Sequence, residues 1–347
     1  MARFITFWVW PASDLYSNGW KSGSSRTMTN HMVRSRDASL KKSMRKRRIH
    51  LPGFMVFVLL TVAANSSAQS ATRTILSNFS VAHQPARLVN GSPVLFRVTA
   101  PKSVRTLTGS WLGHEIEFNF DAIHNSWFAL AGVSLETKSG AYPLELHGET
   151  SGRGATSEAL SVAKPISVER QRYPRIPLKV PARYTAPSPE DQRQIEQDKE
   201  IKAEAFITLS PAREWTGSFD PPVDAAISDV FGVQRIFNGT VESTHQGLDF
   251  RVPTGTTVAA VNKGKVILAQ SLFFEGNCVV IDHGQGLLTL YLHLSKFLVK
   301  AGDDVTKGQP IGLSGGTGRA TGPHLHLAVR WQGEYLNPQV LLNLKLP

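Results

Sequence analysis

At 347 residues, 41% hydrophobic and 9% aromatic, the chain has length for about two domains and ample core material. The formal charge of +11 sits almost wholly at one end: residues 1–68 hold eleven Lys/Arg against Asp14 and Asp37, which leaves only +2 for the rest. That distribution, with no stripe of Arg interleaved with aromatics, argues against a nucleic-acid partner, and a single cysteine, Cys278, excludes an internal disulfide.

Taken in chain order, residues 1–43 show no hydrophobic periodicity and are expected to be an untranslated or disordered extension, with translation starting at Met44. "MRKRRIH" from Met44, the apolar run "LPGFMVFVLLTVAA" from Leu51 and the small residues ending at Ala68 have the layout of an export signal over 44–68. The apolar run is short for a membrane span, so any membrane attachment would come only through an uncleaved signal anchor. A periplasmic or extracellular location follows from this expectation.

Residues 72–168 alternate short apolar runs with turn signals at Asn90-Gly91, Gly109-Ser110 and Ser139-Gly140. The spacing predicts a small immunoglobulin-like β-sandwich. Residues 169–206 read as a linker. Its proline-dense first part, "QRYPRIPLKVPARYTAPSPED", is expected to build neither sheet nor helix, and its second part predicts a short solvated helix with Ser188 as N-cap and acidic residues in the first turn. From 207 to 347 the runs "TTVAAVNKGKVILAQ", "GNCVVIDHGQG", "LLTLYLHLSKF", "GQPIGLSGG" and "HLHLAVRWQG" are separated by glycine turns without a 3.6-residue period, which predicts an antiparallel all-β domain. Cys278, within an apolar run, reads as a small buried side chain.

Six histidines up to His147 have no partners at ligand spacing. The C-terminal part differs: "STHQGLDF" carries His245 and Asp249, "LYLHLS" carries His293, and "TGPHLHLAVR" carries His324 and His326. On a strand, His324 and His326 share one face and Leu325 and Leu327 the other; Tyr291 and His293 likewise face one way, toward the same cleft if the strands pair. Catalytic zinc takes three His/Asp/Glu ligands and keeps an open position, so a His, an Asp and a second His from separate segments are chemically suitable. A leftover imidazole serves as general acid or base because its pKa lies near neutrality. His283 and Asp282, at a strand-to-turn junction, read as structural groups bonded to the turn. Arg235 reads either as a bidentate partner for a substrate carboxylate or as a structural ion pair. Gly315, Gly316 and Gly318 lack the Lys-Ser/Thr and helix of a phosphate loop.

"FGVQR…HQGLDF", "NCVVIDHGQGLLTLYLHLSKF", "VKAGDDVTKGQPIGLSGGTGRATGPHLHLAVR" and "YLNP" together resemble the catalytic domain of the lysostaphin/LytM-type zinc metallopeptidases over Phe231 to Pro338, in the same order. The resemblance implies that His245, Asp249 and His326 bind Zn²⁺ and that His293 and His324 are non-ligand catalytic histidines. It also implies a groove on an antiparallel sheet and an endopeptidase acting on peptide crosslinks of bacterial peptidoglycan, whose peptide stems would be the partner. Two rivals are weighed. A biotinyl or lipoyl carrier hairpin is matched by "VKAGDDVTKGQPIG" but leaves the histidines without a role. A non-catalytic wall-binding or amidase-activating protein on the same fold is the alternative, although the full ligand set is present. Direct D-amino acid links in a periplasm are the expected substrate.

Overall fold

The computed structural model describes residues 79–151, 157–207, 209–239 and 241–347. The expected extension and export signal lie outside these residues. Among the described residues no helix is long and apolar enough to cross a membrane.

The architecture is almost entirely β. The N-terminal part has β1 (Ser80–Gln84), β2 (Pro93–Thr99), β3 (Val104–Trp111), β4 (His114–Glu117), β5 (Asn119–Asp121), β6 (Ser126–Gly132), β7 (Gly140–Ser151) and β8 (Ser157–Val168). They form two four-stranded antiparallel sheets, ordered β1-β2-β6-β5 and β4-β3-β7-β8. Alternate residues turn inward, as the period of two requires. Trp111 from one sheet meets Phe96 from the other edge-on at 5.2 Å, and its buried indole N–H donates to Gly132 O at 2.8 Å, which satisfies its polar atom.

The segment after β8 corrects two expectations. Strand β9 (Arg175–Leu178) forms inside the proline-dense stretch and pairs in parallel with β11 (Gln234–Phe237). It lies at the edge of the three-stranded sheet β12-β11-β9, with β12 spanning Val241–Thr244. An edge strand tolerates proline because a missing ladder N–H there costs nothing on the open side. Helix α1 (Pro189–Ala205) begins after Ser188, whose hydroxyl accepts the Asp191 N–H at 3.1 Å. The helix is docked rather than solvated: Asp198 and Lys202 are buried, and Ile201, Ala205 and Phe206 pack on a second apolar cluster.

The C-terminal part adds β10 (Ile227–Asp229), β13 (Gly247–Phe250), β14 (Thr257–Ala259), β15 (Gly264–Leu272), β16 (Gly276–Asp282), β17 (Leu287–Leu294), β18 (Lys296–Phe297), β19 (Asp304–Val305), β20 (Pro310–Leu313), β21 (Leu325–Trp331) and β22 (Glu334–Leu336). Its main antiparallel sheet runs β10-β13-β21-β17-β16-β15-β19, with β22 on β21. One face presents Tyr291, Leu325, Leu327, Val329 and Trp331 to the larger core; the other presents Leu288, Leu290, Val280 and Ala328 to the cluster under α1. The larger core is continuous with the N-terminal sheets. A Cβ on Gly132 would fall 2.7 Å from Leu336 and 3.0 Å from Trp331, so that glycine is the condition for this contact. The chain closes on an unforeseen helix, α2 (Pro338–Asn343), capped by Asn337, which accepts the Gln339 N–H at 3.0 Å; proline at the first helical position completes that start signal.

Candidate metal centre

Strands β13 and β21 pair so that Asp249 lies directly opposite His326. His245 precedes β13, and its backbone N–H is fixed to Val233 O at 2.7 Å. Three donors therefore meet: Asp249 Oδ1 lies 3.0 Å from His245 Nε2 and 2.7 Å from His326 Nδ1, and the two ring nitrogens are 3.0 Å apart. All three residues are buried. His245 donates its Nδ1–H to Val230 O at 2.8 Å. Its Nε2 faces the other two donors, as a metal ligand's must. Two imidazole nitrogens and a carboxylate oxygen converging without protons enough to satisfy one another fit a divalent cation of the zinc type. Among the described residues this is the one His/Cys/Asp/Glu group with that convergence.

Asp249 is held well below the usual carboxylate range: burial opposes its ionisation, but hydrogen bonds from His245 and His326, and their charge, outweigh it. Arg235 reinforces this from behind, with Nη2 at 2.9 Å from Asp249 Oδ2 and 2.5 Å from Asp229 Oδ2. The guanidinium thus engages two carboxylates of this chain. His326 is lowered to about 4, chiefly by burial, so it is neutral at physiological pH.

Beside the three donors stand two further imidazoles. The His293 ring lies 4.8 Å from that of His324 and 6.0 Å from that of His326, centroid to centroid. Each donates Nδ1–H to a backbone carbonyl, His293 to Thr317 O and His324 to Gly322 O, both at 2.8 Å. Each is left with Nε2 as its remaining nitrogen, that of His324 lying 3.9 Å from Asp249 Oδ1. Burial, then the neighbouring His326 and His324, lower His293 to about 3.

Strict alternation would send His293 to the face of Tyr291, which is the core side. A bulge intervenes: the β16–β17 register jumps between Asn277/Leu294 and Val279/Tyr291, and His293 adopts φ 63°. That left-handed conformation costs a non-glycine residue about 1–3 kcal/mol and persists only where the surroundings over-determine it. The bulge re-aims the ring toward His326. Thus the structure brings His245, Asp249, His326, His293 and His324 together, with Arg235 behind Asp249. His283 is remote from them, bonded to Lys263 O and Thr289 Oγ1; Asp282 accepts the Ser210 and Gly284 N–H groups; Cys278 is buried. Sequence reading missed the carbonyls of Val230, Thr317 and Gly322, because a backbone acceptor leaves no mark in residue identity.

An all-β scaffold carrying this donor set, with free imidazoles at its side, defines a metallopeptidase domain. The model of Peptidase family M23 matches residues 243–338. A crystal structure from Pseudomonas aeruginosa described as a peptidase M23 superposes with a TM-score of 0.55 at 30% identity, over 74% of this chain and 95% of that one. The chain belongs to peptidase family M23. Among curated relatives, those named peptidoglycan DD-endopeptidases ShyA and ShyC, of Vibrio cholerae, are 46% identical over 119 residues and 40% identical over 116. Each match takes in 33% of this chain and only 28% or 27% of the relative.

Proposed function

We propose that the chain is an exported zinc-dependent endopeptidase that hydrolyses peptide crosslinks of bacterial peptidoglycan, direct D-amino acid links first among them. The observation that carries this reading is the convergence of His245 Nε2, Asp249 Oδ1 and His326 Nδ1 within hydrogen-bond distance of one another, beside the imidazoles of His293 and His324. Family membership and the names of the Vibrio relatives support the substrate class.

His245, Asp249 and His326 would hold the ion. When bound, Zn²⁺ supplies Lewis acidity toward a carbonyl and makes water nucleophilic near neutral pH. The chain's own part is proton handling. His293 and His324, their Nδ1–H groups tied to carbonyls, each present an Nε2 lone pair. One accepts the proton of the attacking water at its Nε2, hydrogen-bonds through that proton to the oxygen on which negative charge develops, and then passes it to the leaving amine nitrogen. Arg235 keeps Asp249 ionised and oriented. We read the domain of the two N-terminal sheets, bounded at 72–168, as immunoglobulin-like, residues 169–206 as its link to a peptidase domain over 207–347, and 44–68 as the export signal.

Purified His293→Ala is expected to keep zinc and lose 10²- to 10⁴-fold in rate, whereas His245→Ala loses both. Metal analysis with mass spectrometry of peptidoglycan digests tests this. Equal zinc in the two variants, or digestion insensitive to a chelator, overturns the role assignment and favours a wall-binding protein without hydrolase activity.

A further inference from the structure

The Phe273–Glu275 turn between β15 and β16 is gripped on its outer side by α1 and the segment before it. Asp198 Oδ2 accepts the Phe273 N–H at 2.6 Å, and Lys202 Nζ pairs with Glu275 Oε1. The Tyr184 ring meets Phe273 edge-on at 5.4 Å, and its hydroxyl donates to Gly318 O at 2.6 Å. Asp198 and Lys202 are only 3% and 6% exposed. The charged heads of two side chains buried on one helix gain nothing from apolar packing, and each bears a desolvation cost that its partner must offset. Glu275 adds to that cost, since its Oε2 is buried without a hydrogen-bond partner among the described residues.

What the turn does on its inner side accounts for this expense. Glu275 O accepts the His293 backbone N–H at 2.9 Å, and Phe274 O accepts that of Arg319 at 2.8 Å. Gly276, at φ 62°, packs so closely on Thr317 that no Cβ fits there. Thr317 O in turn receives the His293 Nδ1–H. The left-handed backbone and the ring tautomer of His293 are therefore both set by groups that this turn locates.

We infer that Asp198 and Lys202 are positioning residues for His293: the linker helix, through the Phe273–Glu275 turn, holds the bulge that aims this imidazole at the metal centre. The inference rests on the proposed peptidase reading for its consequence in turnover, but not for its structural content. The linker is in this view part of the working site rather than a tether.

The test uses the full mature chain with Lys202→Met, which keeps the aliphatic stem, and Asp198→Ala, which removes the other strut without stranding a buried carboxylate. Melting temperature establishes which variants are folded; Asp198→Ala decides if Lys202→Met is not. The first readout is amide hydrogen exchange of His293, expected to accelerate at least about tenfold while Leu290 and Tyr291 keep their protection. The second is kinetic: kcat falls on the order of 10- to 100-fold, as for misplacement of a reacting group by about an ångström, with KM within twofold and zinc content unchanged. His293 exchange at the wild-type rate in a folded variant overturns the inference, as does a fall in zinc content matching the fall in rate. Freed His293 amides in variants of a chain that shows no chelator-sensitive hydrolysis would sink the peptidase reading while leaving the positioning role standing.

Discussion

Gly247 offers the most direct perturbation of the metal centre by a residue that ligates nothing. It opens β13 opposite Ala328, and a Cβ there would lie 2.5 Å from both His326 Cε1 and Leu327 O, and nearer still to His326 Nε2. Ordinary contact begins near 3.4 Å, so Gly247→Ala demands a displacement of at least about 0.9 Å. The Leu327 carbonyl belongs to the sheet ladder, and interiors this closely packed do not yield by that amount without cost. The imidazole must therefore move, and with it the 2.7 Å and 3.0 Å separations of Nδ1 from Asp249 and His245. We expect zinc affinity to fall about 10- to 100-fold and stability to fall by about 1–3 kcal/mol. Competition against a chromophoric chelator measures the first, and urea unfolding of the metal-free protein the second. Gly322→Ala, where a Cβ meets nothing within 4 Å, is the control and should bind as wild type. Wild-type zinc affinity in Gly247→Ala would refute the placement of His326 in the ligand set.

Arg235→Met separates its two readings: if the guanidinium serves Asp249, zinc affinity drops about 10- to 100-fold with KM unchanged, whereas a substrate-binding role raises KM and leaves zinc titrations alone. Zinc at a thousandfold excess over its dissociation constant is expected to stabilise the fold by about 4 kcal/mol, a gain that calorimetry should see vanish on chelation. His283, fully buried and lowered to about 4 chiefly by burial, makes stability pH-dependent. As pH falls below 6.5 the unfolded chain takes up the proton first, so stability present above 6.5 is lost progressively toward pH 4, by about 3 kcal/mol at 1.36 per pH unit. His283→Asn should flatten that limb in urea unfolding at pH 7 and 5; an unchanged slope would assign it to other groups.

The parity of β21 was legible from residue types alone, because Leu325, Leu327 and Trp331 alternate with His326 and Arg330 and a strand has no other way to sort them. His293 was not. Its side-chain parity pointed to the Tyr291 face, and the extra residue that β17 carries against β16 between Tyr291 and Leu294, which reverses it, has no mark in residue type. A positive φ at a histidine has no local signature of the kind glycine provides. The docked helix was hidden for a different reason: its buried face includes Asp198 and Lys202, whose identities advertise solvent, and their partners lie in a turn some seventy residues on. Pro177 misled in the same way, since proline excludes a central strand but not an edge.

The protonation states of the centre complete the argument for a divalent ion. Burial lowers His326 to about 4 and His293 to about 3, while Asp249 is held ionised by its imidazole neighbours. At neutral pH His326 and Asp249 thus carry no charge-bearing proton that a cation must displace, which lessens the competition that ordinarily weakens His-rich sites as pH falls. The single negative charge of Asp249 is shared with Arg235, itself tied to Asp229. A fixed cation behind the carboxylate would weaken a site that relied on charge alone. Here it fixes Oδ2 so that Oδ1 remains aimed at the two ring nitrogens, and two nitrogen donors in three disfavour the oxygen-seeking magnesium and calcium.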